Sequence, residues 1–192
     1  MLDFVQPKQN ESQFLETAKE LGLKLCFVYD VPLLEPKSFP TAHIVSSVPK
    51  KKDISTFDFL IIDCSRQTRV FAELKQQAIL INCELNQTRD NLAKINSGID
   101  DVIASLMKKN NKIYAINLSN LFNQALPLDV LLKRISQNIK LCRKYEVPFV
   151  PMTLSKEPIE LKNPSDIRSF LSLFKVSPHE IKQAISFFDC IV

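Results

Sequence analysis

The feature that most constrains this chain is an alternation. Short apolar runs, each four to eight residues long, are separated by longer stretches with helical periodicity. Runs too short to be helices and too apolar to be surface loops read as buried strands, and the stretches between them read as amphipathic helices. Strands are expected at Leu2 to Gln6, Leu23 to Tyr29, Ala42 to Val48, Phe57 to Cys64, Ala78 to Cys83, Ile113 to Leu118 and Val147 to Met152. FDFLIIDC at Phe57 to Cys64 is the clearest of them. Helices are expected at Glu11 to Leu21, Thr68 to Gln76, Gly98 to Lys109, Pro127 to about Tyr145, Pro164 to Phe174 and Pro178 to Phe188. The capping chemistry fits: Gly22 closes the first helix, Pro127 stands at an N1-like position, and Ser177 precedes Pro178 as N-cap of the last. Ile99, Val102, Ile103 and Leu106 fall on one face of the third.

Strands alternating with helices imply parallel pairing through right-handed crossovers. Seven strands suit either a compact TIM-like (β/α) barrel or an open doubly wound parallel sheet. Periodicity does not choose between them, since both use the same local units. At 192 residues the chain is short for a full barrel, which typically takes about 250 residues, so some units must be abbreviated. A single domain over residues 1–192 is expected. Only two glycines are present, so asparagine is expected to take some of the turn positions that need positive φ.

The scarcity of glycine also excludes chemistry. Neither GxGxxG nor GxxxxGK[ST] occurs, which removes the common nucleotide-binding fingerprints. The two histidines, His43 and His179, are far apart and form no HxH or HExxH. Asp3, Asp30, Asp58 and Asp63 lie in or at the ends of expected strands, where a barrel places metal ligands, but such residues more commonly cap turns and following helices. No GxSxG elbow is present. The five cysteines, Cys26, Cys64, Cys83, Cys142 and Cys190, are dispersed and form no CxxC, which points to small buried hydrophobes in a reducing compartment. With 45% hydrophobic residues and no apolar stretch of membrane length, the expectation is a soluble cytoplasmic protein with no membrane partner.

The net charge of +4 permits a polyanionic partner without demanding one. Local clusters carry more information. Lys50, Lys51 and Lys52 form one run, and Lys108, Lys109 and Lys112 another. Lys133, Lys140 and Lys144 share a narrow arc of the long helix, opposite Leu128, Leu131, Leu132, Ile135 and Ile139. Such a stripe is either a solvated face or a phosphate-contacting one. Arg66 and Arg69 follow the strongest strand, where barrels and doubly wound sheets both place functional loops. They suit a phosphate fork or a simple ion pair with Glu73. No aromatic residues interleave with these cations in the way that stacks on single-stranded bases.

Several blocks, taken in order, resemble the RNase P protein component 3 family of archaea and eukaryotes. FDFLIIDC followed by Arg66, Arg69 and Glu73 resembles the family's strand and "R-x-x-R…E" stretch. AILINC and Glu84 stand where the family has a "vDIL" strand. SGIDDVIASLMKKNNKIYAINLSNLF is similar to its "sGldhvla" helix and following strand. LCRKYEVPFVPMTLS resembles "l-ekykv…tSsA", ELKNPSDIRSFLSLF resembles "lR-PrDl-sL-lG", and MLDFVQP and ETAKELGL fit its N-terminal third. The chain departs from the pattern at Lys162-Asn163, where the family has Arg, at Lys175, where it has Gly, and at Lys156, where it has a small residue.

The resemblance implies a PHP-like barrel that has lost its metal ligands; a PHP enzyme's first strand would supply HxH, and this one ends Asp3-Phe4-Val5-Gln6. It implies a non-catalytic subunit of ribonuclease P, supporting the RNA that removes the 5′ leader from precursor tRNA. Expected partners are the RNase P RNA, RNase P protein component 2 and other protein subunits, with precursor tRNA met indirectly. No cofactor is expected in this chain, and Mg²⁺ is expected with the catalytic RNA. By position, the resemblance points to Arg66, Arg69, Lys94, Lys144, Lys162 and Asp166 as RNA- or partner-binding, with Asp166 more suited to capping the helix after Pro164. The rival readings from residues alone are a metal-dependent phosphoesterase and a protein-interaction module.

Overall fold

The computed structural model describes residues 1–30, 38–49, 57–86, 90, 95–123 and 126–189. Seven strands form one sheet: β1 (Leu2–Val5), β2 (Lys24–Tyr29), β3 (Thr41–Val45), β4 (Phe59–Asp63), β5 (Ile79–Ile81), β6 (Ile113–Asn117) and β7 (Phe149–Met152). Each pairs in parallel with its successor, in the order β1-β2-β3-β4-β5-β6-β7. A doubly wound sheet needs a switch point at which strand order reverses, and here there is none. The outer strands instead approach each other: Leu154 N donates to Phe4 O at 2.8 Å, Gln6 N donates to Ser155 O at 2.8 Å, and Val5 bridges Ser155 in parallel. The sheet is a nearly closed barrel, and the open-sheet alternative is set aside.

The helices are α1 (Glu11–Leu21), α2 (Thr68–Glu73), α3 (Asp101–Lys109), α4 (Leu128–Lys144), α5 (Pro164–Ser172) and α6 (Pro178–Ser186). The first matches its expected bounds, and Gly22 closes it at φ +66° with its N–H on the carbonyls of Ala18 and Lys19. Most other elements are trimmed by one to three residues at an end, where sequence periodicity is weakest. Pro127 is the N-cap of α4 and Leu128 its first residue. Asp100 caps α3 through Ile103 N, so Gly98 and Ile99 precede the helix. That shift also changes its buried face. Ile103, Ala104 and Met107 point inward, and Val102, expected among them, is exposed.

Alternation along the strands sorts the core into layers. Phe4, Cys26, Val28, Ala42, Ile61, Ile79, Ile81, Ala115, Val150 and Met152 fill the interior. Leu60, Ile62, Leu80, Tyr114, Ile116 and Phe149 face out against α2 to α6. Val5, Leu25 and Phe27 pack under α1 with Phe14 and Ala18. Phe188, just past α6, joins the interior cluster and makes edge contacts with Phe4 at 5.0 Å and Phe59 at 5.3 Å. The last helix therefore brings a stopper to the end where the strands begin.

Among the described residues, six other than glycine adopt positive φ: Gln9, Asn82, Asn111, Glu146, Leu154 and Lys175. Asparagine takes two of these positions, as expected of some of them, and the other four go to larger side chains. Lys175 keeps a left-handed φ of +56° at the place where the resembled family has glycine. Gly98 is required sterically, because a Cβ there would sit 1.8 Å from the Cys83 carbonyl oxygen. Cys26, Cys64, Cys83 and Cys142 are buried free thiols, and Cys190 lies outside the described residues. Among the described residues no helix is long and apolar enough to cross a membrane.

Candidate functional site at the mouth of the barrel

The loops that follow the strands build the mouth of a barrel, and that is where catalytic or binding groups of such folds converge. Here the mouth over β4, β5 and β6 is a hydrogen-bonded carboxamide network. Asn82, at the end of β5 with φ +58°, donates to Asp63 Oδ2 at 3.1 Å. Its Oδ1 accepts from Asn117 Nδ2 and from Asn120 Nδ2, both at 2.9 Å. Asn120 also donates to Glu84 Oε1 at 3.2 Å, and Tyr114 Oη donates to Glu84 Oε2 at 3.2 Å. Burial raises the Glu84 carboxyl above its ordinary range against the lowering effect of these two hydrogen bonds.

Behind the network stands Arg134, on the inner face of α4 and fully buried. Its Nη1 donates to the Glu84 carbonyl at 2.8 Å, and its guanidinium pairs with Asp90 at 2.9 Å. Asn138, one turn on, donates to the Ser97 carbonyl at 3.0 Å and lies 3.4 Å from Tyr114 Oη. A buried arginine survives only when its donors are met. This one ties the loop segments at Glu84 and Asp90 to one helix.

The aspartates at the strand ends do not converge. Asp3 is buried in the β1–β7 seam, where it accepts from Thr153 N, Thr153 Oγ1 and Phe4 N at 2.7 to 2.9 Å. Burial pushes its carboxyl up to about 6, opposed by those hydrogen bonds. Asp58 accepts from Thr41 N at 2.8 Å ahead of β4, and Asp63 accepts from Ser65 N at 2.9 Å. Asp30 is exposed. His43 stacks on Phe57 at 4.9 Å and meets the Tyr29 carbonyl, while His179 sits in the Ser177–Glu180 capping box. Among the described residues no group of three or more His, Cys, Asp or Glu side chains could hold a metal ion. The two carboxylates of the mouth network, Asp63 and Glu84, are each engaged by asparagine side chains.

The residues singled out by sequence divide between the two ends of the barrel. Arg66 and Arg69 follow β4 at the mouth, beside a cleft of about 520 Å³ that also takes in Asn86, Asn96 and Gly98. Arg69 Nε is bonded to Glu73 Oε1 at 3.1 Å, so the ion-pair reading holds for that member. Arg66 is exposed and has no carboxylate partner among the described residues. Lys162 follows β7, also at the mouth, with its Nζ 5.2 Å from the centre of the Phe122 ring.

Lys144 lies at the opposite end, in the last turn of α4. It pairs with Asp101 at 2.6 Å, and Tyr145 Oη reaches the same carboxylate at 2.9 Å. The lysine stripe is therefore partly a set of ion pairs, since Lys133 is likewise held by Asp129. Asp166 stands in the first turn of α5, where it complements the helix dipole, but the N-cap is Asn163, whose Oδ1 accepts from Ser165 N at 2.9 Å. Lys94 and the run Lys50–Lys52 lie outside the described residues.

Sequence reasoning misses the carboxamide network and the aromatic neighbour of Lys162. Asn82, Asn117 and Asn120 each stand at the end of an apolar run, where a lone asparagine reads as turn chemistry. Phe122, 67% exposed, is forty residues from the lysine that covers it.

No protein-family model matches the chain. It is 33% identical over 82 residues to Ribonuclease P protein component 3 of Methanocaldococcus jannaschii, which is 42% of this chain and 35% of that protein. It is 26% identical over 125 residues to the protein of the same name from Methanococcus maripaludis, covering 64% of this chain and 51% of that one. The chain thus spans about a third to a half of the length of the curated relatives it matches. By fold it resembles a chain in the cryo-EM structure of archaeal Ribonuclease P with mature tRNA, with TM-score 0.77 and 21% identity over 96% of this chain and 86% of that one. The solved neighbour bears out the barrel fold, and the relatives by sequence point to the family of Ribonuclease P protein component 3.

Proposed function

We propose that this protein is a subunit of ribonuclease P that supports the catalytic RNA by binding it and neighbouring subunits. The observation that carries the reading is the likeness along 96% of the chain to a component of an archaeal RNase P assembly, joined to relatives of the same name. The chemistry of the mouth agrees with it. Asn82, Asn117 and Asn120 are held by one another and by Glu84, so their geometry is fixed before any ligand arrives. The network holds the loops of the mouth in place beside exposed Arg66, whose guanidinium N–H groups can donate to phosphate oxygens, which are acceptors.

Arg66 supplies the cation without a local carboxylate, and Lys162 a second one on the same side of the barrel. Arg69 contributes after exchanging Glu73 for a phosphate, a modest cost because exposed pairs are weak. Lys144, Lys94 and Asp166 remain contacts to RNA or to a protein partner, with Lys144 having to leave Asp101. The partners under this reading are the RNase P RNA, RNase P protein component 2 and the other protein subunits, and precursor tRNA is met only through the assembly. Mg²⁺ belongs with the RNA.

Affinity purification of the tagged protein from its own cells tests this, with sequencing of bound RNA and mass spectrometry of bound protein. Recovery of one structured RNA that trims precursor tRNA, together with a small basic protein, is the expected result. Recovery of neither would overturn the proposal.

A further inference from the structure

The loops after β6 and β7 enclose a cleft of about 330 Å³ beside the carboxamide network. Its floor includes Leu118, Thr153 and Leu154, and its rim carries Phe122, Ile159 and two lysines, Lys156 and Lys162. Resting on the functional reading above, we propose that this cleft is a slot for one unpaired nucleotide of RNA, with the base stacked on Phe122 and its phosphate held by Lys156 and Lys162.

Four observations converge on it. Phe122 and Ile159 are 67% and 90% exposed, large apolar side chains left in water within one cleft. Lys162 lies over the Phe122 ring, so the aromatic face and the cation already share one site. Neither Lys156 nor Lys162 has a carboxylate partner among the described residues. The nearby acids are otherwise engaged: Glu160 Oε2 accepts from Lys156 N at 2.9 Å and Glu157 N at 3.3 Å, and Glu157 faces Lys8 at 3.8 Å.

The walls are also fixed in advance. Ser119 is bonded to Asn117 Oδ1 through N at 3.1 Å and Oγ at 2.8 Å, and Thr153 is bonded to buried Asp3. Leu154 bends the chain into the cleft wall at φ +46°, a conformation that a leucine keeps only when its surroundings impose it. A rigid slot loses little freedom on binding. Ser119 and Asn123 offer a hydroxyl and an amide to base edges, while a double helix, whose bases are already stacked on each other, cannot enter. Stacking on an exposed aromatic ring is sequence-tolerant, so the slot selects single strands rather than a particular base.

The chain has no tryptophan, which makes Phe122→Trp a clean reporter. Its fluorescence should be quenched by a single-stranded oligoadenylate 12-mer and unaffected by a blunt RNA duplex of the same length. Phe122→Ala and Phe122→Leu should each weaken the wild-type affinity for the 12-mer by about tenfold and leave duplex affinity unchanged. Full affinity in Phe122→Leu with loss only in Phe122→Ala would overturn stacking, since any apolar side chain of that size would then serve. Unchanged affinity in both, with RNA binding weakened and its salt slope reduced in Arg66→Ala/Arg69→Ala, would overturn the slot alone. No RNA binding by the wild-type protein would overturn the functional reading and the slot with it.

Discussion

The two ends of the barrel solve the same problem with opposite materials. Where the strands begin, the opening is stopped by aromatic carbon, with Phe188 against Phe4 and Phe59 and Phe187 against Phe188. Where the strands end, the opening is closed by amides, carboxylates and a buried arginine. Apolar packing is non-directional and tolerates any contents of about the right volume. A polar network is satisfied in one arrangement only, and each missing partner leaves a costly buried group. One end thus secures stability, and the other fixes the loops of a surface that bears Arg66, Phe122 and Lys162.

The comparison breaks most visibly at the stopper. Phe188→Ala should destabilise the fold by about 3–5 kcal/mol, measured by chemical denaturation, because the cavity it leaves is enclosed by the barrel. If the two ends divide labour as described, the RNA affinity of the folded fraction should be unchanged. A fall in affinity alongside stability would show the ends to be coupled.

The seam between β1 and β7, which joins the two ends, should reveal itself by pH. Asp3 has its carboxyl raised to about 6 by burial. Below about pH 4 the acid is neutral folded or unfolded, and its contribution is fully present; between about 4 and 6 only the folded form still holds the proton, so stability falls as pH rises. The decline should reach about 3 kcal/mol by neutral pH. Asp3→Asn should flatten that slope, because the amide oxygen can keep the bonds from Thr153 N and Phe4 N. A wild-type protein with no decline between pH 4 and 7 would contradict the seam as described.

The mouth should respond to salt rather than to denaturant. Arg66→Ala with Arg69→Ala should reduce the slope of log affinity against log salt for RNA by about 1 for each phosphate no longer neutralised, with stability nearly unchanged. RNA affinity equal at low and high salt in the wild type would remove phosphate binding as the mechanism. The smallest effect should be Lys175→Gly. It relieves a left-handed lysine and should stabilise the fold by about 1 kcal/mol, the gain being reduced by the greater freedom of glycine in the unfolded chain.

What is legible in the sequence is whatever depends on neighbours along the chain. The bounds of α1, the Gly22 closure, the Ser177 cap and all seven strands follow from periodicity and capping, which act over a few residues. Where local patterns mislead, the reasons are equally local. Periodicity counted from Ile99 puts Val102 on the buried face of α3, but Ile99 lies before the helix begins. Asn163, rather than Asp166, caps α5 because its side chain reaches Ser165 N. A barrel and a doubly wound sheet repeat the same strand–helix unit, so no pattern within one unit chooses between them.

By itself, then, the sequence determined the components: seven buried strands, the helices between them, a mild positive charge, and no fingerprint of a nucleotide-binding loop. Tertiary structure alone decided that β1 meets β7, that Arg134 and Asn138 turn inward from a helix whose inner face reads as apolar, and that Phe122 lies beneath Lys162. Each of those facts is a meeting of residues far apart in the chain, reached only once the strands have paired. Patterns along a chain report which face is apolar; they carry no distance between two faces until the fold has closed.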